Sequence, residues 1–202
     1  MDEATLIREA KKGDLTAFNK LVLTYQDMLY NTAYRIIGDP ALADDAVQEA
    51  FISAFQKLKS YRGGSFKSWL LRIVTNTCYD EFRRQKRKPT TPLDIYTDDG
   101  EEIESPSWLK DPTLSPEKQL ETYELEQAIQ RCIQALPLEF RTVVVLTELQ
   151  GLSYQEAAKA IKKPLGTIKS RLARARTRLQ KCLQKVKELL PAKFRLEGET
   201  SS

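Results

Sequence analysis

Apolar residues recur at steps of three and four over most of the first 88 positions, which is the spacing of amphipathic helices. The first forty residues are interpreted as helices that break near Gly13, with Asp14 or Thr16 capping the second. An Asp-Pro pair at residues 39–40 predicts the start of the next helix, because proline is favoured in a first helical turn. A glycine-containing turn over residues 61–65 then precedes a further helix.

The helical period is lost between residues 89 and 116, where the chain carries five prolines among acidic residues. Segments of this composition cannot bury enough apolar surface to fold. We therefore interpret residues 89–116 as a flexible acidic linker between a first domain, residues 1–88, and a second domain, residues 117–190. Residues 191–202 are expected to form a frayed tail.

The second domain contains the outline of a helix-turn-helix. Gly151 can end one helix in the left-handed conformation, and Ser153 with Glu156 can form a capping box for the next. A proline and a glycine within residues 164–166 interrupt that helix, so the final helix is predicted to begin at about Thr167. The predicted fold is therefore all-α, with two small helical domains joined by the linker and a helix-turn-helix in the second.

The final helix has an apolar stripe on one side and a one-signed charge pattern on the rest. Ile168, Leu172 and Ala175 follow helical spacing and should face a core. Between residues 167 and 187 no Asp or Glu accompanies the cations, so ion pairs within the helix cannot neutralise them. A solvated basic face is the simplest explanation, but within a helix-turn-helix the pattern favours DNA as an external anion. The cations are Lys169, Arg171, Arg174, Arg176, Arg178, Lys181, Lys185 and Lys187.

Composition places the chain among soluble proteins. Of its 202 residues 41% are hydrophobic and 30% charged, and the formal net charge is +4. No apolar run approaches the length of a bilayer span and the N-terminus lacks an apolar signal core, so we expect a cytoplasmic protein without membrane insertion. Basic clusters at residues 83–88 and after Thr167, with acidic residues between them, predict two nucleic-acid-facing patches.

Catalytic chemistry is not predicted. The chain has no His, and we find no nucleophile elbow, phosphate loop or carboxylate-rich metal motif. Cys78, Cys132 and Cys182 lie about fifty residues apart, which gives neither a disulfide framework nor zinc-ligand spacing. We expect buried or unremarkable thiols, and a protein that is not an enzyme and needs no cofactor or metal.

Aromatic residues alternate with cations from residue 61 to residue 88. Rings that stack bases and charges that hold phosphates are what a single-stranded nucleic-acid platform requires. Most aromatic residues in such a helix belong to the core, so we expect one or two of the five to face nucleic acid. The five are Tyr61, Phe66, Trp69, Tyr79 and Phe82.

Four stretches, in this order, resemble the extracytoplasmic-function (ECF) group of bacterial sigma-70 factors: DPALADDAVQEAF, YRGGSFKSWLLRIVTNTCYDEFRRQKRK, LPLEFRTVVVLTELQGLSYQEAAKAI and PLGTIKSRLARAR. The resemblance covers nearly the whole chain, and four ordered motifs are more specific than one helix-turn-helix. It implies an RNA polymerase sigma factor that directs core polymerase to promoters and melts the −10 element. The loop before the FKSW motif is one residue shorter here than in many members of the family.

The resemblance also implies three sets of site residues and their partners. An acidic helix would bind the clamp helices of the largest polymerase subunit through Asp44, Asp45, Gln48 and Glu49, for which helix-dipole stabilisation is the alternative role. An unstacked promoter base would be captured by Tyr61, Arg62, Ser65, Trp69 and Asn76, with Arg83, Arg84 and Arg87 near the DNA backbone. The −35 element would be read by Lys169, Ser170, Ala173 and Arg174, to which the basic face adds Arg171. The second domain would also bind the polymerase flap, and an anti-sigma factor is a further candidate partner.

Two other functions compete with this interpretation. A conventional helix-turn-helix regulator with an N-terminal partner-binding domain would explain the second domain but not the aromatic and basic stretch. A nucleic-acid-processing enzyme is disfavoured by the absence of His and of a clustered metal site. Linker length adds one expectation to the sigma factor hypothesis. Residues 90–116 have a preferred span of roughly 30 Å, less than the roughly 35–70 Å between promoter elements, so the free chain should bind promoters poorly.

Overall fold

The computed structural model describes residues 2–87 and 116–186, and within these ranges all of the regular secondary structure is helical. The predicted all-α fold with two helical domains is therefore confirmed. The first four helices are α1 (Glu3–Lys11), α2 (Leu15–Ile37), α3 (Pro40–Lys57) and α4 (Phe66–Arg87), with a 3₁₀ turn at Leu58–Ser60. The next four are α5 (Pro116–Gln134), α6 (Leu138–Val144), α7 (Tyr154–Ile161) and α8 (Leu165–Lys185), and a π-helical segment, Val145–Leu149, extends α6. The predicted linker, apart from Pro116, and the predicted tail lie outside the described residues.

Local sequence signals position the helices of the first domain. Asp14 caps α2 by accepting hydrogen bonds from two backbone amides, and Gly38 ends it in the left-handed conformation. Asp39 caps α3, whose first residue is Pro40 as expected. Helices α2, α3 and α4 pack on one another through fully buried residues such as Leu29, and α1 closes the bundle. This bundle carries the acidic helix and the aromatic stretch.

The second domain is built around α8. Ile168, Leu172 and Ala175 of this helix are all buried, as the apolar stripe predicts, and α6 and α7 pack against them. Ser153 and Glu156 form the predicted capping box at the start of α7.

The turn of the helix-turn-helix differs from the prediction. Helix α8 begins at Leu165, so Gly166 lies inside the helix and does not interrupt the chain. The left-handed residue that ends α7 is Lys162, with φ of 54°. Pro164 sits at the cap of α8, where its missing amide hydrogen is not needed. Gly166 was predicted to help end α7, but Lys162 adopts the left-handed conformation there, in which glycine is more usual.

Two of the three cysteines depart from expectation. Cys132 of α5 and Cys182 of α8 form a disulfide, with their Cα atoms 5.7 Å apart. The prediction of independent thiols was wrong for this pair, because a separation of fifty residues along the chain becomes a contact once α5 packs on α8. Cys78 is a buried free thiol, as expected, and burial raises its pKa to about 12.

The two domains pack against each other at the C-terminal end of α2. Gln130 and Gln134 of α5 donate to the backbone carbonyls of Tyr34 and Arg35, at 3.1 and 2.9 Å. Arg141 of α6 is only 9% exposed, and it donates to the carbonyl of Ile36 at 2.6 Å and to the carbonyls of Gln134 and Leu136. A cation placed against several helix-terminal carbonyls is electrostatically favourable. The same polar cluster therefore ends helices in both domains and joins them.

Candidate nucleic-acid interface

Helix α8 exposes the side of the chain that was predicted to read the −35 element. Lys169, Ser170, Ala173 and Arg174 are all exposed, and the buried Ile168 and Leu172 lie behind them. No ion pair within residues 2–87 and 116–186 involves Lys169 or Arg174. Their donors are therefore free to reach a base edge or a phosphate, which is the geometry of a recognition helix in a major groove.

Other cations of α8 have partners inside the domain, which the charge pattern of the helix alone did not reveal. Arg171 is mostly buried and pairs with Glu139 at 2.7 Å, and Arg176 pairs with Glu148 at 2.8 Å. The guanidinium of Arg178 lies 4.9 Å from the ring centroid of Phe140. The expectation that the whole basic run requires an external anion was therefore too broad, because acidic residues on other helices neutralise part of it. Of the predicted reading residues, Arg171 is the one that is already paired.

Tyr61, the first residue of the loop before α4, closes that loop with a hydrogen bond. Tyr61 is 7% exposed, and its hydroxyl donates to the carbonyl of Gly64 at 2.6 Å. Its ring packs edge-on against Phe66, with centroids 5.3 Å apart, and the Lys11 ammonium contacts both its ring and its backbone carbonyl. The ring of Tyr61 is therefore part of the core in this structure, and its role in base capture stays a prediction. An aromatic residue beside a glycine turn gives no sign, in sequence, of which way its ring points.

Trp69 is more exposed than Tyr61 and is therefore the better candidate for stacking on a base. It is partly exposed and stacks on Phe66 with centroids 5.3 Å apart and an interplanar angle of 27°. Trp69 lines an open cleft of about 440 Å³ between the loop and α7. Arg62 and Ser65 line the same cleft, and the Ser65 hydroxyl also accepts from the Ser68 amide at the start of α4. The structure thus brings four of the five predicted base-capturing residues to one cleft, namely Tyr61, Arg62, Ser65 and Trp69.

Helix α7 forms the opposite wall of this cleft. The Ser68 hydroxyl donates to Glu156 at 2.6 Å, and the Lys67 ammonium donates to the carbonyl of Gln150 at 2.7 Å. The hydroxyl of Ser68, and then that of Ser153, hold the pKa of Glu156 below its ordinary value. The sequence indicates neither of these two contacts, because both depend on how the domains dock and no local motif encodes them.

Asn76 and the arginines near the end of α4 lie further along the same helix. Asn76 and Arg83 line a second interdomain cleft together with Arg171. Arg83 pairs with Asp80 at 2.7 Å, and Arg84 pairs with Glu81 at 3.0 Å and with Glu49 at 3.6 Å. The pairs with Asp80 and Glu49 are exposed and of small energetic value, so a phosphate can replace these two carboxylates at little cost. Glu81 is only 9% exposed, so its pair with Arg84 is more costly to break. The exposed Arg87 completes a basic edge on α4.

The acidic set on α3 is fully displayed. Asp44, Asp45, Gln48 and Glu49 are all exposed on one side of the helix. Ile52, one turn further along, is 60% exposed and extends this side with an apolar residue. Phe55, three residues after Ile52, is 40% exposed. An acidic surface that ends in an apolar residue is suited to a protein partner that carries cations around an apolar spot.

No membrane-crossing segment is found among the described helices, since none is both long enough and apolar enough. A search for three or more His, Cys, Asp or Glu side chains that could share a metal ion finds no such group in residues 2–87 and 116–186.

Both domains match known protein families. The family descriptions "Sigma-70 region 2" and "Sigma-70, region 4" match residues 21–88 and 126–179. The RNA polymerase sigma-H factor of Pseudomonas aeruginosa is 38% identical over 180 residues, which cover 89% of this chain and 92% of that protein. The ECF RNA polymerase sigma-E factor of Escherichia coli K12 is 38% identical over 187 residues, covering 91% and 95%.

The chain also resembles solved structures. The sigma factor RpoE of Bartonella quintana, in complex with the anti-sigma factor NepR, matches with a TM-score of 0.64 and 27% identity, covering 84% of this chain and 98% of that one. CnrH, solved with the cytosolic domain of CnrY, shares the fold with a TM-score of 0.62 and 24% identity. A conventional helix-turn-helix regulator would not account for the match over residues 21–88. The chain therefore belongs to the sigma-70 family of RNA polymerase sigma factors, in its extracytoplasmic-function group.

Proposed function

We propose that this sigma factor recruits RNA polymerase core to promoters through two separate DNA-facing surfaces, one in each domain. The observation that carries the proposal is the exposed face of α8 formed by Lys169, Ser170, Ala173 and Arg174. Buried residues of its own domain support this face, and its two cations form no ion pair among the described residues. The protein acts as an initiation factor and not as an enzyme, in the cytoplasm where the chromosome lies. Its relatives are named as polymerase sigma factors, which supports core polymerase as its partner.

The division of labour follows the predicted domain map. Residues 1–88 bind core and open the −10 element, residues 89–116 connect the domains, residues 117–190 read the −35 element, and residues 191–202 form a tail. The exposed acidic side of α3 contacts the polymerase clamp helices, with Ile52 as an additional contact. The second domain binds the flap. An anti-sigma partner is supported by the RpoE complex, which was solved with an anti-sigma factor bound.

The −35 surface can be tested with two variants of one helix. Arg174→Ala removes an exposed donor from the reading face, whereas Lys181→Ala removes an exposed cation two turns further along α8. Arg174→Ala should weaken binding to the −35 duplex by about 1–3 kcal/mol and relax base preference at one position, because a base contact is lost. Run-off transcription with core polymerase is the readout. Arg174→Ala that initiates at normal strength from the native promoter would exclude this role.

The −10 surface requires the domains to separate. In the structure α7 forms one wall of the cleft that Trp69 lines, and the Ser68–Glu156 hydrogen bond holds it there. A single strand needs room along Trp69 and Arg62, so base capture should follow separation of α7 from α4. Core polymerase, which holds the two domains at separate sites, supplies that separation. Footprinting tests this: the isolated chain should fail to protect both elements of one promoter at concentrations where the holoenzyme protects both.

A further inference from the structure

The disulfide between Cys132 and Cys182 joins the first helix of the second domain to its last. Cys132 is 2% exposed, whereas Cys182, near the end of α8, is partly exposed. The loop of chain that the bond closes contains α6, α7 and most of α8. The whole helix-turn-helix therefore lies within this covalent loop.

Helix α5 is also the helix onto which the end of the first domain docks. Gln130 and Gln134 flank Cys132 in sequence and donate to carbonyls at the end of α2. Residues four apart share a helix face, and a residue midway between them points to the other side. Cys132 accordingly meets α8 while the two glutamines meet α2. The helix is held on one side by a covalent bond and on the other by the first domain.

We propose that Cys132 and Cys182 form a redox-responsive pair, and that their oxidation fixes α5 against α8 and so strengthens the closed arrangement of the two domains. In the reduced protein, α5 is held to α8 by packing alone and can move away from it more readily. Any such movement also loosens the hydrogen bonds that Gln130 and Gln134 make to the first domain. The bond thus couples the oxidation state of two thiols to the contact between the domains.

A hydroperoxide can drive the oxidation. The more exposed Cys182, as its thiolate, attacks the peroxide, the O–O bond breaks, and the remaining oxygen leaves as water or an alcohol after taking up a proton. The resulting sulfenic acid is attacked by Cys132; the S–S bond forms, the S–O bond breaks, and the departing hydroxide leaves as water with the Cys132 proton. Two molecules of a small thiol reverse the reaction through a mixed disulfide, which returns both cysteines to thiols and oxidises the small thiol to its own disulfide.

The reversibility of the bond in the cell rests on the proposed function. A factor that works on the chromosome lies in a compartment where thiols are kept reduced, and disulfides formed there are usually transient and redox-sensing. The chemistry of the pair and its effect on α5 can be measured without polymerase or DNA. Failure of the redox proposal is therefore distinguishable from failure of the proposed function.

The first measurement is a redox titration of the full chain in buffers with increasing proportions of oxidised glutathione, followed by alkylation in denaturant to count free thiols. The wild type should change from three thiols to one within this series, and Cys78→Ala, the matched control, from two to none. A pair that stays reduced in oxidised glutathione alone would overturn the proposal. A pair that stays oxidised in a large excess of reduced glutathione would also overturn it, because the bond would then be purely structural.

The second measurement is amide hydrogen exchange over residues 126–134 and 34–38 in the oxidised and reduced wild type. Reduction should accelerate exchange in both segments, by about tenfold in α5, whose amides lose the covalent restraint. Cys182→Ser should behave like the reduced protein whether or not an oxidant is present. Equal exchange in the two states of the wild type, or a redox response that survives in Cys182→Ser, would overturn the coupling to the domain contact. The wild-type comparison needs no substitution, so it stands even if a variant folds poorly.

Discussion

The two surfaces proposed to bind DNA differ in how accessible the fold leaves them when DNA is absent. The reading face of α8 is exposed and supported from behind by Ile168 and Leu172 of the same helix, so it depends on one domain only. The loop proposed to capture a base is closed by Tyr61 and faced by α7 of the other domain, so its accessibility depends on how the domains are arranged. Under the proposed function, duplex reading would depend on one domain alone, whereas strand capture would depend on a contact between the domains.

The largest expected effect is on stability, and it tests whether Tyr61 of the loop before α4 belongs to the core. Tyr61→Ala should lower the free energy of unfolding by about 3–5 kcal/mol, because it removes a buried ring that packs on Phe66 and Trp69. Tyr61→Phe keeps the ring and should lose only about 1 kcal/mol with the hydrogen bond to Gly64. Urea denaturation measures both. If Tyr61→Ala unfolds at the wild-type urea concentration, the ring is not part of the core.

A slightly smaller loss is expected from the cation that joins the domains. Arg141 is buried among three backbone carbonyls, and burial lowers its pKa. Arg141→Met retains most of the volume but leaves these carbonyls without their donor, which should cost about 3 kcal/mol in unfolding free energy. Arg131→Met, at an exposed position on α5, is the matched control and should change stability by less than about 0.5 kcal/mol. Similar losses in the two variants would argue against the buried network.

Local signals in the sequence were enough to predict most of the helices. The cap of α2 is Asp14, one of the two candidates, and the predicted capping box at Ser153 is present. Helix α3 begins at the Asp39–Pro40 pair, and the apolar stripe of α8 is buried as its spacing required. Such features involve residues within one or two turns of each other, which is the range over which sequence pattern determines structure.

Features that depend on tertiary packing could not be predicted in the same way. The sequence around Cys132 does not indicate that this residue will form a disulfide with Cys182. The sequence around Ser68 likewise does not indicate its hydrogen bond to Glu156. The pairing of Arg171 with Glu139 was missed for the same reason. Tyr61 and Trp69 carry the same aromatic signal in sequence, and only packing distinguishes the buried ring from the partly exposed one.

Trp69 gives the next prediction, which tests the assignment of strand capture to this ring. Trp69→Ala should weaken binding of the holoenzyme to single-stranded −10 DNA by about 1–3 kcal/mol, because a stacking surface is lost. Since the ring is already partly exposed, its loss should destabilise the fold less than Tyr61→Ala does. Trp69→Phe should recover part of the affinity. Unchanged strand binding together with a large drop in melting temperature would show that Trp69, like Tyr61, belongs to the core.

The smallest expected effect is the pH dependence of the Ser68–Glu156 contact, which joins α4 to α7 beside the loop that precedes α4. The pKa of Glu156 lies below its ordinary value of 4.5, with the Ser68 hydroxyl as the largest cause. A lowered folded-state pKa means that the contact stabilises the closed protein fully above about pH 4.5, and that this contribution disappears as the pH falls through the lowered value.

Ser68→Ala should therefore cost about 1 kcal/mol of unfolding free energy at pH 7, and the difference from the wild type should shrink as the pH falls below about 4.5. Ser153→Ala is the matched control, because it removes a second hydroxyl from the same carboxylate but only within the cap of α7. Urea denaturation at several pH values measures all three proteins. Only Ser68→Ala should also speed amide exchange in the first turn of α4 and in α7 together, because only its hydrogen bond crosses between the domains. If the two serine variants affect exchange in α7 alone and to the same extent, the contact between the domains does not depend on this hydrogen bond.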